Sequence, residues 1–259
     1  MRLLFLALAV VVSSLVISSC IQDESASSMP VTTKSDLALE FYETGMLEFD
    51  QVKYWQAHHH LELAVKEDPD FFMAWFWLYF TSGKGSKKVA GEALQVESNL
   101  NEAEKEIKTA FSYLLDGQEE KVVHHLQMAV DLYPSDPHVH KILYIIQMQY
   151  LKDMEGALES INHAIRACPD YAMAYNMLGY AHMDMEEFDR AGKAFDTYIK
   201  LAPSIANPYD SKGDYFMKIK EYEKAHESYM RAFEIDPDFQ ISKKKAEKAT
   251  CMMEEPSAE

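Results

Sequence analysis

Apolar, aromatic and small residues recur every 34 residues through the second half of the chain. Tyr175, Gly179, Ala191, Phe195 and Pro203 align with Tyr209, Gly213, Ala225, Tyr229 and Pro237, and the same phase earlier in the chain holds Ala157, Ile161, Ala164 and Pro169. A fixed period of this length predicts a stack of similar supersecondary units that bury their apolar faces against their neighbours.

The recurring positions predict two helices in each unit. Gly179 and Gly213 lack a side chain and would let the two helices approach closely, with Phe195 and Tyr229 filling the space. Proline cannot continue a helix interior, so the recurring prolines would end the second helix of each unit. The pattern therefore predicts repeated helical hairpins in an all-α fold.

Residues 138–171, 172–205 and 206–239 resemble the tetratricopeptide repeat, a helix-turn-helix unit of 34 residues. The copy at 172–205 departs from the family pattern at Tyr198, where a small residue is usual. The copy at 206–239 departs at Lys212, and the copy at 138–171 matches less well in its first helix. The resemblance implies an α-solenoid whose first helices line a concave groove.

The same frame extends upstream through less regular units. We expect further units at 38–71, 72–102 and 103–137, giving about six within a solenoid at 37–253 that ends in a capping helix at 241–253 and a disordered tail at 254–259. In the second unit, Gly83 and Gly85 interrupt the helical pattern, and about three residues are missing relative to the period.

The composition fits a folded, acidic chain. A hydrophobic fraction of 48% excludes global disorder, and a formal net charge of −17 argues against a nucleic-acid partner. The acidity fits either simple solubility or the recruitment of a basic partner.

Residues 1–19 are expected to be a signal peptide. Leu3 to Val16 is an apolar run of suitable length, and Ile17-Ser18-Ser19-Cys20 resembles a bacterial lipobox. The resemblance implies cleavage before Cys20 and lipid attachment there, which would anchor the protein in the cell envelope, at the outer membrane, facing the periplasm or the outside. The alternative is an ordinary signal peptide with an incidental cysteine. Residues 20–36 are polar and predict a flexible tether.

No catalytic or cofactor-binding constellation stands out. In the clusters His58-His59-His60 and His124-His125, consecutive helical side chains diverge by about 100° and cannot close on one metal from one face. The run at 82–88 lacks the Walker spacing of a phosphate loop. We expect no cofactor, no metal site and no enzymatic activity, with Cys168 and Cys251 buried as small hydrophobic residues. Adventitious metal binding, or an enzyme that uses the histidines, is the alternative.

The family's concave groove, transferred by repeat position, predicts a surface that binds a partner. Its aromatic and aliphatic part would contain Tyr42, Phe49, Phe76, Phe80, Phe111, Ile142, Ile146 and Tyr150, and its polar, acidic part Asn176, Tyr180, Asn207, Asp210 and Asp214. The alternative is that the irregular N-terminal units curl inward and bury the apolar residues as core.

These patterns predict a lipid-anchored, non-catalytic adaptor whose groove holds a peptide segment or helix of another envelope protein. Apolar anchors would lie near Phe76 and Phe111, with acidic steering near Asp210 and Asp214. A second hypothesis is a structural or oligomeric subunit of an envelope complex that makes contacts through its convex face.

Overall fold

The computed structural model describes residues 28–83, 86–97 and 99–254, and in these residues every regular element is helical. The helices are α1 (Asp36–Asp50), α2 (Tyr54–Glu67), α3 (Phe72–Thr81), α4 (Ser86–Gln95), α5 (Glu102–Leu115), α6 (Glu119–Leu132), α7 (Pro137–Ile146) with a π-helical turn (Gln147–Leu151), α8 (Met154–Ala167), α9 (Ala172–Asp184), α10 (Phe188–Leu201), α11 (Ala206–Lys218), α12 (Tyr222–Ile235) and α13 (Gln240–Glu254). The predicted all-α fold is confirmed. The predicted signal peptide, Cys20 and the tail from residue 255 lie outside the described residues.

Consecutive helices pack as hairpins, and the hairpins stack. The pairs α9–α10 and α11–α12 coincide with the predicted copies at 172–205 and 206–239, and α13 packs on α12 at the end of the stack. Pro169 and Pro203 follow the ends of α8 and α10 by two residues, as expected for residues that stop a helix. The predicted α-solenoid with a capping helix is therefore observed.

Close helix approach within a hairpin depends on a glycine. A Cβ atom placed on Gly179 would lie 2.5 Å from a ring carbon of Phe195, and one placed on Gly213 would lie 2.5 Å from the ring of Tyr229. Both rings are buried, so there is no open space into which they could move. The predicted role of these glycines is confirmed.

The turn inside each of five hairpins holds one residue with left-handed backbone at the same repeat position. The φ angles are 62° at Val52, 69° at Gly117, 58° at Lys152, 60° at Glu186 and 63° at Lys220. Glycine adopts this conformation readily, whereas a β-branched residue such as valine adopts it at a cost. The hairpin geometry therefore overrides the local preference of the residue in the turn.

The second unit has a shortened second helix. Helix α4 has 10 residues, whereas α2 and α6 have 14 each. Helix α3 also ends early, at Thr81, just before Ser82 and Gly83. This hairpin is therefore the one that is shorter than the 34-residue period. The short α4 leaves part of α2 uncovered.

The first helices of the units form an inner row that curls tightly. At the end of α1, Asp50 accepts hydrogen bonds from Lys141 Nζ at 2.7 Å and from the Tyr171 hydroxyl at 2.9 Å. Lys53 Nζ lies 2.9 Å from Asp236 Oδ2, just beyond α12. The first unit therefore contacts the fourth and the sixth, and its own side chains fill the inside of the curl.

Residues 28–35 are not a free tether. This segment has no regular secondary structure and hydrogen-bonds to Asp68, Glu104 and Asp136, which lie in the first and third units. The tether prediction is wrong over these residues because carboxylates of the solenoid bind their backbone. None of the helices in the described part of the chain is long and apolar enough to cross a bilayer.

Candidate functional site

The apolar part of the predicted groove belongs to the core. Six of its residues are at most 9% exposed, namely Tyr42, Phe49, Phe76, Phe111, Ile142 and Ile146. They do not form the open surface that the repeat positions predict. Their burial matches the alternative, in which the N-terminal units curl inward.

Aromatic contacts between units account for this burial. The ring centroids of Phe76 and Phe111 are 5.5 Å apart with the rings edge-on, and those of Phe49 and Trp77 are 5.0 Å apart. These pairs join α1 to α3 and α3 to α5 across unit boundaries. Such packing stabilises the stack, and it removes the apolar surface that a partner would need.

The acidic part of the predicted groove is covered by α13. Lys245 Nζ lies 2.7 Å from Asp210 Oδ2 and 2.9 Å from Asp214 Oδ1, and the Ser242 hydroxyl donates to Asp210 at 2.6 Å. Burial raises the pKa of Asp210, although Lys245 opposes that shift. Burial also disfavours the charge on Lys245, but the two carboxylates outweigh this effect and raise its pKa. The two acids therefore hold the capping helix.

The two predicted asparagines are also internal. Asn207 is 4% exposed and its Oδ1 accepts a hydrogen bond from the Tyr198 hydroxyl at 3.0 Å. Asn176 is 5% exposed, and its Nδ2 lies 3.6 Å from the sulfur of Met173. Neither amide is presented to a partner.

Four of the predicted residues remain partly accessible: Phe80, Tyr150, Tyr180 and Asp214. Phe80 packs edge-on against Tyr150 with ring centroids 6.0 Å apart, and the Tyr180 hydroxyl donates to Asp214 at 2.8 Å. Burial, with a smaller contribution from Tyr79, raises the pKa of Tyr150 to about 12. Each of these residues is already engaged within the chain, so little of the predicted surface is free.

An opening lies between α2, α3 and α4, at positions that the repeat pattern did not indicate. It has a volume of about 1020 Å³, and its lining includes Tyr54, Trp55, His58, His59, Trp75 and Val89. The Trp55 side chain is 81% exposed and stacks over His58, with ring centroids 6.4 Å apart. We call this opening the Trp55 cleft.

The Trp55 cleft follows from the shortened second unit. Because α4 is short, it does not cover the outer side of α2, and the walls are held by local hydrogen bonds. Trp75 Nε1 donates to the Pro69 carbonyl at 2.8 Å, and His58 Nδ1 lies 3.1 Å from Thr81 Oγ1. The sequence signal for the cleft lies in the residues missing after Gly83. The family groove did not indicate it, because that groove involves first helices, whereas α2 and α4 are second helices.

The histidine clusters are used in pairing between the helices of a hairpin. His60 Nδ1 lies 2.6 Å from Glu48 Oε2, and His125 Nδ1 lies 2.6 Å from Glu106 Oε2. Within residues 28–83, 86–97 and 99–254, no group of three or more His, Cys, Asp or Glu side chains is arranged to hold a metal ion.

The two cysteines differ in environment. Cys168 is buried, whereas Cys251 is exposed on the outer side of α13. The expectation for Cys251 is wrong because the last helix of the stack has no further unit to cover its outer face.

Comparisons with known proteins agree with this architecture. The tetratricopeptide repeat family model matches residues 172–205 and 206–239. No curated protein matches the sequence. One similar solved structure is TTC0263, a thermophilic TPR protein of Thermus thermophilus, with a TM-score of 0.52 and 16% identity over 83% of this chain and 99% of that chain.

Another similar solved structure is the APC/C hetero-tetramer Cut9–Hcn1, with a TM-score of 0.50 and 18% identity over 82% of this chain. The matched region covers 42% of the length of that chain. At these identities the likeness concerns the fold. The sequence match and the fold together support the tetratricopeptide-repeat family for residues 172–239, within an α-solenoid of TPR-like hairpins.

Proposed function

We propose that this protein is a lipid-anchored, non-catalytic adaptor of the bacterial cell envelope that binds an amphipathic helix of another envelope protein. Solenoids of this kind use extended surfaces for protein recognition. The observation that carries the proposal is the Trp55 cleft, about 1020 Å³ in volume, on a chain whose inner surface is occupied by its own helices. An exposed tryptophan beside such an opening is typical of an interface anchor.

The size of the Trp55 cleft suits a helix. A cylinder with the diameter of a slender helix, about 10 Å, and the volume of the cleft would be about 13 Å long, or two to three helical turns. The position also suits a helix, because α4 has 10 residues where the neighbouring second helices have 14, so the row of second helices is interrupted here.

The lining of the cleft favours an amphipathic partner. Val89, Trp75 and Leu78 supply apolar walls, while side chains of both charges, including Glu62 and Lys66, also line the opening. A partner helix would therefore place an apolar stripe with i, i+3 and i+4 spacing in the cleft and a polar face toward water.

The anchor is proposed at Cys20. The supporting observations are the apolar run that begins the chain and the lipobox-like Ile17-Ser18-Ser19-Cys20. We place the protein at the outer membrane. Intact-mass measurement of the membrane-extracted protein tests the anchor: we expect the mass of a chain that begins at Cys20 with acyl groups added. An unmodified cysteine in the mature protein would refute it.

Photo-crosslinking in cells tests the cleft. A photoreactive residue in place of His59 is compared with the same residue in place of Leu132, which is 49% exposed on another second helix. We expect capture of one partner from position 59, mapped by mass spectrometry to an amphipathic helix and abolished by Trp55→Ser. Equal capture from position 132, or capture unaffected by Trp55→Ser with unchanged circular dichroism, would contradict the proposal.

The alternative function is a structural or oligomeric subunit, and it would use the same outer face. Sedimentation velocity of a Cys20→Ser protein separates the two. A monomer supports the adaptor, whereas a self-assembled species that Trp55→Ser dissociates supports the alternative.

A further inference from the structure

Residues 29–35, which we call the strap, run without regular secondary structure along one edge of the first half of the solenoid. Three backbone N–H groups of the strap donate to carboxylates: Met29 to Asp136 at 2.6 Å, Thr32 to Glu104 at 2.7 Å and Lys34 to Asp68 at 2.8 Å. The strap thus passes the start of α7, the start of α5 and the end of α2 in turn before α1 begins.

The acceptors of the strap are held at the ends of helices, and Asp68 is the C-cap of α2. Asp136 is the N-cap of α7, and Glu104 forms a capping box with Asn101 at the start of α5. All three carboxylates are buried, with Glu104 at 0%, Asp136 at 3% and Asp68 at 6% exposure. Hydrogen bonds to a carboxylate are about twice as strong as neutral ones. The three buried carboxylates therefore fix the position of the strap on the solenoid.

Side chains and a carbonyl group add to the binding of the strap. The Thr32 hydroxyl donates to Glu104 at 2.5 Å, and the Thr33 hydroxyl donates to Asp68 at 2.6 Å. In the other direction, Asn101 Nδ2 donates to the Pro30 carbonyl at 2.7 Å. The solenoid therefore hydrogen-bonds to donors and to an acceptor of the strap.

The strap changes where the chain leaves the solenoid. Without it, the chain would leave at α1, and the sixteen residues from Cys20 to Asp36 could span about 55 Å. With it, the chain leaves beside α7, and nine residues separate Cys20 from Met29. Nine residues reach about 30 Å when fully extended and average about 17 Å as a flexible coil.

We propose that the strap orients the solenoid on the lipid surface. The edge that carries Asp68, Glu104 and Asp136 faces the bilayer, and the opposite edge, with the turns inside the hairpins, faces away. This inference rests on the proposed anchor at Cys20. Because α2 starts at the far edge, Tyr54 and Trp55 at the mouth of the Trp55 cleft are held away from the lipid, where a partner can reach them.

Two labelling positions at opposite ends of α6 test the orientation. Helix α6 has 14 residues, so its ends are about 21 Å apart. Ser135→Cys marks the near edge and Gln118→Cys marks the far edge, each in a Cys251→Ser background because Cys251 is exposed. Native lipidated protein is bound to phosphatidylethanolamine–phosphatidylcholine vesicles that carry an energy-transfer acceptor on the headgroup.

We expect clearly stronger energy transfer from position 135 than from position 118. The variant Thr32→Pro with Thr33→Ala removes one N–H and two hydroxyl donors of the strap without altering the solenoid, and it should abolish the difference. The control variant Ser28→Pro adds a proline just before the strap and should preserve the difference in energy transfer. Equal transfer from the two positions in the intact strap would overturn the orientation while leaving the anchor in place.

The anchor itself has a separate readout. Protein that fails to bind the vesicles, or binds no better than Cys20→Ser, would overturn the anchor and with it this inference. Bound protein with a difference that survives in the Thr32→Pro, Thr33→Ala variant would show that something other than the strap sets the orientation.

Discussion

The ammonium group of Lys141 lies 2.7 Å from Asp50 Oδ1, and the lysine side chain is fully buried. The pair joins the fourth unit to the first across 91 residues of sequence. The lysine Nζ also lies 4.9 Å from the centre of the Trp77 ring, which offers a favourable cation–π contact. This ion pair holds the end of α1 inside the curl of the inner row.

Removing the lysine should destabilise the protein strongly. We expect Lys141→Met to lower the free energy of unfolding by about 3–5 kcal/mol, because Asp50 would lose its partner in a largely buried site. Adding Asp50→Leu should recover part of that loss. The control is Lys105→Met, whose ion pair with Glu102 is exposed and should change stability by less than about 1 kcal/mol. Guanidinium unfolding followed by circular dichroism gives the free energy of unfolding of the three variants. Equal effects of Lys141→Met and Lys105→Met would contradict a stabilising role for the buried Lys141–Asp50 ion pair.

Substitution of Phe111 tests whether this residue belongs to the core or lines an open groove. Phe111 is 1% exposed and packs edge-on against Phe76. We expect Phe111→Ala to lower the free energy of unfolding by about 3–5 kcal/mol, as for a large buried side chain. Tyr150→Ala, at a site that is 38% exposed, should cost clearly less. A Phe111→Ala protein as stable as the parent would restore the groove that the repeat positions predict.

Two glycines should respond to alanine in opposite directions. A Cβ atom on Gly179 would meet the Phe195 ring at 2.5 Å, whereas one on Gly91 would have nothing within 4 Å. Gly179→Ala should therefore destabilise by about 1–3 kcal/mol through overpacking. Gly91→Ala, within α4, should stabilise by about 0.5–1 kcal/mol because alanine favours the helix. Thermal unfolding of both variants is the measurement, and a stabilised Gly179→Ala protein would refute the close helix contact.

The helical hairpins were predictable because their signals are local. Gly179 and Phe195 are 16 residues apart, and the small and the large residue recur together in the next unit as Gly213 and Tyr229. The residues that determine how the two helices pack therefore lie within the same hairpin. The same holds for the prolines, which end the helix that directly precedes them.

The curl and the Trp55 cleft could not be predicted in the same way. Contacts such as Lys53 with Asp236 join residues from the first and last units, and no repeat position encodes them. The groove assignment assumed a regular superhelix, but the short α4 alters the stacking of the second unit. Phe76 then packs in the core, while Trp55 stays exposed.

The binding of the strap to the solenoid was not predicted from the sequence, for a different reason. Its composition is polar and rich in threonine, which is typical of a flexible linker. Three of its hydrogen bonds come from backbone N–H groups, and these are present whatever the side chains are. The signal lay instead in the acceptors, since Glu104 and Asp136 stand at helix starts where one carboxylate can serve both a helix and a passing segment.

Val52 is a site where a single substitution should stabilise the protein. Its φ of 62° lies in the left-handed region, which costs a β-branched residue about 1–3 kcal/mol. We expect Val52→Asn to raise the free energy of unfolding by about 0.5–1 kcal/mol, since asparagine tolerates this region and the loss of a partly buried side chain offsets some of the gain. Gly117→Val, which introduces the same strain in another hairpin, should have the opposite effect. Urea unfolding measures both, and destabilisation by Val52→Asn would show that packing of Val52 outweighs its backbone strain.

His140 should make the protein less stable in mild acid. The side chain is 3% exposed, and its Nε2 is 2.9 Å from the Pro134 carbonyl oxygen. Burial lowers the pKa of His140, with nearby His163 and Arg166 acting in the same direction and the Pro134 carbonyl and Asp136 opposing them. The unfolded chain therefore takes up a proton near the ordinary histidine pKa of about 6.5, while the folded chain does not. Stability should fall as the pH is lowered from about 7 to about 5, because the unfolded state binds more protons over that range. His140→Gln should flatten this dependence, whereas His124→Gln, at an exposed site in α6, should change it little. Urea midpoints measured across this range give the slopes, and identical slopes for the parent and His140→Gln would rule out His140 as the source.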